Sequence, residues 1–175
     1  MTRKLLAAAL ASLLLAAAPG CVHYHLGSML PPDIQTVFVP TVENQTTEPF
    51  LEQDVTSAVI SQIQMDGSLK IADEDKADTI LEIVLSRFWL VPVSYVSKAA
   101  SSANEYRMNI TASIVLRRLS DDSIVLESPS ITGHEDFEYT GDITSAKAIA
   151  LRPTAEDLGR RIVNELVMYW PEHDD

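Results

Sequence analysis

The chain has 175 residues, which is enough for one domain with a substantial core and too few for two full domains. Its 13 Lys and Arg residues stand against 25 Asp and Glu residues, and this net charge of −12 argues against a nucleic-acid-binding surface. Cys21 is the only cysteine, so an intramolecular disulfide is excluded.

The first twenty residues have the pattern of a secretory signal. Arg3 and Lys4 precede an apolar run over residues 5–18, which is too short to span a bilayer of about 30 Å. The run leads through Gly20 directly into Cys21. This arrangement resembles the lipobox of bacterial lipoproteins, in which the cysteine thiol is acylated and the cysteine becomes the new N-terminus.

Two interpretations of Cys21 follow from cleavage after Gly20. An ordinary secretory cut would leave an exposed thiol in an oxidising compartment with no structural partner. Lipidation would instead attach several acyl chains, and two or more such signals hold a protein stably on a membrane. We predict lipidation of Cys21. Val22 follows the cysteine where inner-membrane lipoproteins carry Asp, so the resemblance implies the outer membrane.

The exported chain is more acidic than the whole. Loss of Arg3 and Lys4 with residues 1–20 leaves 155 residues with 11 basic and 25 acidic side chains, a net charge of −14. We predict a signal peptide over residues 1–20, the lipidated cysteine and a tether over 21–33, one domain over 34–170 and an acidic tail over 171–175.

The domain is predicted to begin with a strand over residues 34–40, which is rich in β-branched residues. Residues 41–47 are polar and predict a loop. Apolar residues then recur at helical spacing over residues 50–65, and Gly67 follows the helix. Residues 73–78 are acidic but lack the ligand spacing of a calcium loop, so they predict a solvated connection.

Three further strands are predicted in the middle of the chain. Residues 79–91 form a long strand, and the small, polar residues 92–104 form a hairpin loop. Residues 105–119 alternate between apolar and polar side chains, which is typical of a strand with one buried face. After a turn at residues 120–123, the chain returns as a strand that continues to residue 139.

The C-terminal part of the domain predicts a helix that opens with Thr154 and Asp157 as a capping box and stops before Pro171. Pro153 is expected to separate this helix from a helical turn over residues 145–152. The predicted order is therefore β-α-β-β-β-α. This order indicates an α+β fold with a four-stranded, mixed or mainly antiparallel sheet and both helices packed on one face.

The sequence offers little that would support catalysis or metal binding. His23 and His25 lie in the tether without a third ligand nearby, and His134 with Glu135 and Asp136 is equally short of partners. Neither a nucleophile elbow, nor a phosphate-binding glycine loop, nor a zincin motif is present. We therefore expect a protein that is not an enzyme and that has no metal and no cofactor.

Arginines are concentrated on two neighbouring predicted strands, where Arg87, Arg107, Arg117 and Arg118 lie. Guanidinium groups bind phosphate in a bidentate manner, so this group is a candidate contact for a phosphorylated lipid. The alternative is that the arginines pair across the sheet with Glu82 and other carboxylates.

Several stretches, taken in order, resemble the LptE family of lipopolysaccharide-assembly lipoproteins. They are the lipobox at Cys21, the strand-loop-helix segment from Val37 through Asn44 and Thr46 to Pro49-Phe-Leu-Glu, the Asp66-Gly67 helix end, Ala77-Asp78-Thr-Ile-Leu-Glu, the central strand over residues 105–119 and the closing helix over residues 155–166. Together these stretches cover nearly all of the exported chain.

The resemblance implies an outer-membrane lipoprotein without enzymatic activity, held at the periplasmic face by its lipid anchor. Such a protein plugs a large β-barrel lipopolysaccharide translocon, supports assembly of the barrel and helps to deliver lipopolysaccharide to the cell surface. Its expected partners are the barrel and lipopolysaccharide, with Arg87, Arg107 and Arg117 as candidate contacts. The alternative is a periplasm-facing lipoprotein that activates peptidoglycan synthesis, whose domains can share a Val-Pro followed by Asn-x-Thr near the first strand.

Overall fold

The computed structural model describes residues 30–95, 103–138 and 142–168. The predicted signal peptide, Cys21, most of the predicted tether and the predicted acidic tail lie outside these residues. The elements in chain order are β1 (Thr36–Phe38), β2 (Glu43–Asn44), α1 (Leu51–Asp66), β3 (Lys70–Ile71), a 3₁₀ turn (Glu74–Lys76), β4 (Thr79–Tyr95), β5 (Ala103–Arg118), β6 (Ile124–Glu138) and α2 (Ile143–Met168).

One mixed sheet holds all the strands, in the order β3-β1-β4-β5-β6, with β2 also paired to β4. β1 and β2 run parallel to β4 along the same edge, with Val37 opposite Thr79 and Asn44 opposite Leu85. β4, β5 and β6 are antiparallel to one another. The predicted α+β class is confirmed.

The sheet has six strands where the sequence predicts four. Within the predicted strand over residues 34–40, only Thr36–Phe38 (β1) forms a strand. The predicted loop over residues 41–47 contains β2. β2 and β3 have two residues each, so neither is long enough to show the alternation that identifies a strand in a sequence.

The core lies between the helices and one face of the sheet. α1 buries apolar side chains four residues apart, and β5 buries apolar side chains at every second residue, because these are the periods at which side chains share a face. The buried residues at these positions are Leu51, Val55, Val59 and Ile63 in α1, and Met108, Ile110, Ala112, Ile114 and Leu116 in β5. Both helices pack on this face, as predicted.

Two glycines allow the layers to approach closely. A Cβ atom on Gly133 of β6 would lie 2.5 Å from the backbone nitrogen of Leu158 in α2. A Cβ atom on Gly159 would lie 3.1 Å from the carbonyl carbon of Ala58 in α1. Backbone therefore packs on backbone where α2 crosses β6 and where it meets α1.

α2 is one helix of 26 residues, with Pro153 inside it. The predicted break at Pro153 is wrong, and so is the predicted capping box at Thr154. Ala150, Thr154 and Leu158 form a buried stripe at helical spacing that continues past the proline. Thr154 donates its hydroxyl to the carbonyl of Ala150 at 2.7 Å, so this hydroxyl is satisfied within the helix.

The β4–β5 hairpin is longer than predicted. β4 continues to Tyr95 and β5 starts at Ala103, and pairs such as Pro92 with Tyr106 fall where the sequence predicts a loop over residues 92–104. β6 runs without interruption from Ile124 to Glu138. Neither described helix combines the length and apolarity needed to cross a membrane.

Candidate functional site: the outer face of the sheet

The helices cover one face of the sheet, and within the described residues no layer covers the other face, here called the outer face. Register places Arg87 opposite Thr111, Trp89 opposite Asn109 and Val91 opposite Arg107. These residues alternate with the core residues of β4 and β5, so their side chains lie on the outer face. The outer face therefore carries Arg87, Arg107 and Arg117, three of the four predicted strand arginines.

Arg107 is engaged with a carboxylate on the neighbouring strand. Its Nε lies 2.6 Å from Oδ1 of Asp136, and a second guanidinium nitrogen lies 2.7 Å from Oδ2. The hydrogen bonds from Arg107 lower the pKa of Asp136, and the same contact raises the pKa of Arg107. Both side chains are partly exposed, so solvent weakens the attraction.

Arg117 and Arg118 are also paired. Arg117 lies 2.5 Å from Glu82 of β4 and 3.3 Å from Asp122, and its Nε is buried without a hydrogen-bond partner among the described residues. Arg118 pairs with Asp33 at the start of the described chain. The cross-strand alternative, including its specific expectation of Glu82, therefore describes Arg107 and Arg117, whereas Arg118 pairs with a carboxylate outside the strands.

Arg87 has different surroundings. Its guanidinium carbon lies 4.5 Å from the centre of the Trp89 ring, a cation-π distance. In the described part of the chain, no carboxylate lies within ion-pair distance of Arg87. Of the strand arginines, Arg87 is therefore the most available to bind an anion. The half-buried ring of Trp89 packs against its guanidinium group.

The arginines do not form a single cluster. Arg107 and Arg117 are ten residues apart on β5, which corresponds to about 33 Å along a strand. Arg87 lies opposite Thr111, so it is four positions from Arg107 and six from Arg117. The outer face therefore presents a row of separate cationic points.

Asp157 lies within α2 and does not form the predicted capping box with Thr154. It accepts a hydrogen bond of 2.9 Å from the backbone N–H of His134 at the edge of β6, and it pairs with Arg160 and Arg161 at 2.7 Å each. Burial raises the pKa of Asp157, but the donors from His134, Arg161 and Arg160 outweigh it, so the pKa is lowered. Asp157 thus fastens α2 to β6.

His134 takes part in this same contact. Its ring nitrogen Nδ1 lies 3.9 Å from Asp157 and 3.5 Å from a guanidinium nitrogen of Arg161. Within residues 30–95, 103–138 and 142–168, no group of three or more His, Cys, Asp or Glu side chains could hold a metal ion. His23 and His25 lie outside these residues.

Asp78 fixes the point where the chain enters the sheet. Its Oδ2 accepts hydrogen bonds from the Thr36 hydroxyl at 2.7 Å and from the backbone N–H groups of Thr36 and Gln35 at 2.8 and 3.0 Å. These donors, led by the Thr36 hydroxyl, lower the pKa of Asp78. The described chain therefore enters the sheet at the Thr79 end of β4, opposite the hairpin end.

Solved structures show the same fold at low sequence identity. A protein from Xanthomonas campestris of the family DUF330 is 15% identical, with a TM-score of 0.54 over 79% of this chain and 88% of that one. A minor lipoprotein from Acinetobacter baumannii is 12% identical, with a TM-score of 0.52 over 76% of this chain and 92% of that one. No curated protein matches the sequence.

The sequence itself identifies the family. Residues 34–166 match the model of the LptE family, described as lipopolysaccharide-assembly. The match spans every described element from β1 to the last full turn of α2, so this chain belongs to the LptE family of lipopolysaccharide-assembly proteins.

Proposed function

We propose that this protein is an outer-membrane lipoprotein that plugs a β-barrel lipopolysaccharide translocon, supports assembly of the barrel and helps to deliver lipopolysaccharide to the cell surface. The observation that carries the proposal is the LptE family match over residues 34–166. We assign the protein no catalytic step. Its contribution is binding, through the outer face and edges of the sheet.

The membrane attachment in this proposal is Cys21, acylated after removal of residues 1–20. Acyl chains at the N-terminus hold the protein at the periplasmic face of the outer membrane. Asp78 holds Gln35 and Thr36 at one end of β4, and the β4–β5 hairpin lies at the other end of this strand. A 17-residue strand is about 56 Å long, so the hairpin end lies far from the end at which Asp78 holds β1.

The dimensions of the domain bear on the size of the barrel. Five strands side by side span about 19 Å at 4.8 Å per strand, and a layer of helices adds about 10 Å. A domain with this cross-section does not fit inside an eight-stranded barrel, because side chains fill the interior of such a barrel. The proposed partner is therefore among the large barrels, in the range whose lumen is known to hold a plug.

The proposed contacts for lipopolysaccharide are Arg87, Arg107 and Arg117. Arg87 is the principal one, because it already lies on the outer face without a carboxylate partner among the described residues. Arg107 and Arg117 would contact phosphates by exchanging Asp136 and Glu82 for them. A row of cationic points suits a large amphiphile with several anionic groups better than one small anion.

Affinity capture from outer-membrane extract tests the proposal. The full-length chain with a C-terminal tag, processed in the cell, is expected to retain one large β-barrel protein through detergent washes. A matched control is an unrelated tagged lipoprotein at the same expression level, which identifies the proteins that are captured through the lipid anchor alone. Repeated capture without a barrel would contradict the proposed function.

A further inference from the structure

The outer edge of β4, on the side away from β5, is covered along only part of its length. β1 and β2 pair with it from Thr79 to Leu85, and the backbone N–H of Gln45 donates to the carbonyl of Leu85 at 2.9 Å. From Arg87 to Tyr95, β4 pairs with β5 alone, and no strand in the described part of the chain lies on its other side. An uncovered edge of this kind is a template for an added strand.

Two observations show which backbone groups point outward along this edge. The Leu85 carbonyl points outward because it bonds Gln45, and the extra residue at the following register shift moves the alternation by one position, to Phe88 and Leu90. Pro92 gives the same result, because a proline within a sheet directs its nitrogen to an open edge. Phe88 and Leu90 therefore present their N–H and C=O groups outward, and Pro92 ends the usable edge.

The surroundings of this edge define what would bind. Trp89 and Val91 flank it on the outer face, and Val91 is 41% exposed. A strand placed here would set alternate apolar side chains against them, as cross-strand neighbours. The available length is short, from Arg87 to Val91, and it continues the line of β1 and β2 along the same edge of β4.

A second copy of this chain fits the edge poorly. Each processed copy carries a net charge of −14, so two copies repel each other. No Asp or Glu occurs between Ser86 and Tyr95 to pair with Arg87 of another copy. The wall of a closed barrel is equally unsuitable, because all of its strands are already paired.

We propose that the β4 edge at Phe88 and Leu90 accepts an extended, apolar segment of the barrel chain that lies outside the barrel wall, as a strand that continues β1 and β2. The inference rests on the proposed function, since it assigns a particular contact to the proposed barrel. Binding then depends on main-chain hydrogen bonds, with Trp89 and Val91 selecting the side chains of the added strand.

The test compares Leu90→Pro with Leu90→Ala in the full-length chain. Both variants remove the half-buried leucine side chain, but only the proline removes the outward N–H, and it leaves the β4–β5 hydrogen bonds in place. We expect Leu90→Pro to retain less than one tenth of the barrel that Leu90→Ala retains, at equal circular dichroism signal. Equal retention by the two variants, at either a high or a low level, would overturn the inference.

Amide hydrogen exchange gives a second measurement that does not depend on a variant folding. In the captured complex of the native chain, the amides of Phe88 and Leu90 are expected to exchange at least tenfold more slowly than in the isolated chain. Unchanged exchange at these amides, or protection that appears equally when the isolated chain self-associates, would overturn the inference. Failure of the native chain to capture any barrel would instead contradict the proposed function and the inference with it.

Discussion

At the scale of single residues, Asp78 carries more hydrogen bonds than its position in an acidic stretch suggests. One carboxylate oxygen receives three donors from Gln35 and Thr36, which lie more than forty positions earlier in the chain. Hydrogen bonds to a charged group contribute about 1.5–3 kcal/mol each when the group is well shielded. Asp78 therefore holds the first strand to the start of β4.

Asp78→Ala is expected to lower the free energy of unfolding by about 2 kcal/mol, because two backbone N–H groups and a hydroxyl lose their acceptor. Chemical denaturation of the purified chain, without a tag, measures the change. Asp75→Ala is a matched control, since this nearby residue is exposed. Equal stability of the two variants would contradict this role.

The pH dependence of the same variant gives a separate prediction. Because the folded-state pKa of Asp78 is lowered, its stabilisation is complete above the ordinary aspartate range and disappears as the pH falls through the folded-state value. The difference in unfolding free energy between the native chain and Asp78→Ala should therefore shrink on acidification. A difference that is constant from neutral to strongly acidic pH would show that the carboxylate charge is not involved.

Reversal of charge on the outer face tests the lipopolysaccharide contacts. Arg87→Glu with Arg107→Glu is expected to weaken binding of purified lipopolysaccharide by at least tenfold, because two cationic points become anionic. The control is Lys70→Glu with Arg152→Glu, which makes the same change in net charge at two exposed positions outside the β4–β5 hairpin. Binding that is unchanged, or lost equally in both variants, would leave these arginines with a structural role alone.

How much of the site could be predicted from sequence varies from residue to residue. The pairing of Arg117 with Glu82 could be anticipated because both lie on strands that alternate cleanly. The roles of Asp78 and Asp157 could not, because each accepts a hydrogen bond from a distant backbone N–H group that only the folded chain brings near. A hydrogen bond from a backbone N–H group cannot be recognised from the pattern of residue types.

At the scale of elements, the contact between α2 and β6 depends on the absence of a side chain at Gly133. A Cβ atom there would meet the Leu158 backbone nitrogen at 2.5 Å, so the helix itself would have to move. Gly133→Ala is therefore expected to destabilise the fold by about 2 kcal/mol, a typical cost of overpacking. Thermal unfolding followed by circular dichroism measures the loss.

Gly159→Ala is the graded comparison for this prediction. Its Cβ atom would lie 3.1 Å from Ala58, so a small shift between the helices accommodates it. The expected order of stability is native, then Gly159→Ala, then Gly133→Ala. The reverse order would show that α2 yields more easily against the sheet than against α1.

The elements that sequence patterns identify best are the long ones. α1 and β4 to β6 have many turns or alternations, so their type is clear although their ends are not. β2 and β3 have two residues each and exist because β4 and β1 supply their hydrogen bonds. α2 continues through Pro153 because burial of Ala150, Thr154 and Leu158 outweighs the loss of one backbone hydrogen bond.

At the scale of the whole molecule, the proposed acylation of Cys21 would attach the protein to a membrane. Cys21→Ala removes the proposed acylation site and is expected to leave a protein that fractionates with the periplasm instead of the membrane. Cell fractionation with immunodetection measures this change, and mass spectrometry of the native chain should find acyl chains on Cys21. An unmodified Cys21 in the purified native protein would contradict the proposed anchor.

The central claim is that this protein helps lipopolysaccharide to reach the cell surface, and depletion in the native organism tests it most directly. Lipopolysaccharide at the surface is measured by labelling intact cells, alongside incorporation of a cell-wall precursor. We expect surface lipopolysaccharide to fall on depletion while precursor incorporation is maintained at early times, and we expect the plasmid-borne native gene to restore surface lipopolysaccharide. Normal surface lipopolysaccharide with a defect in cell-wall synthesis would contradict the account and favour an activator of peptidoglycan synthesis.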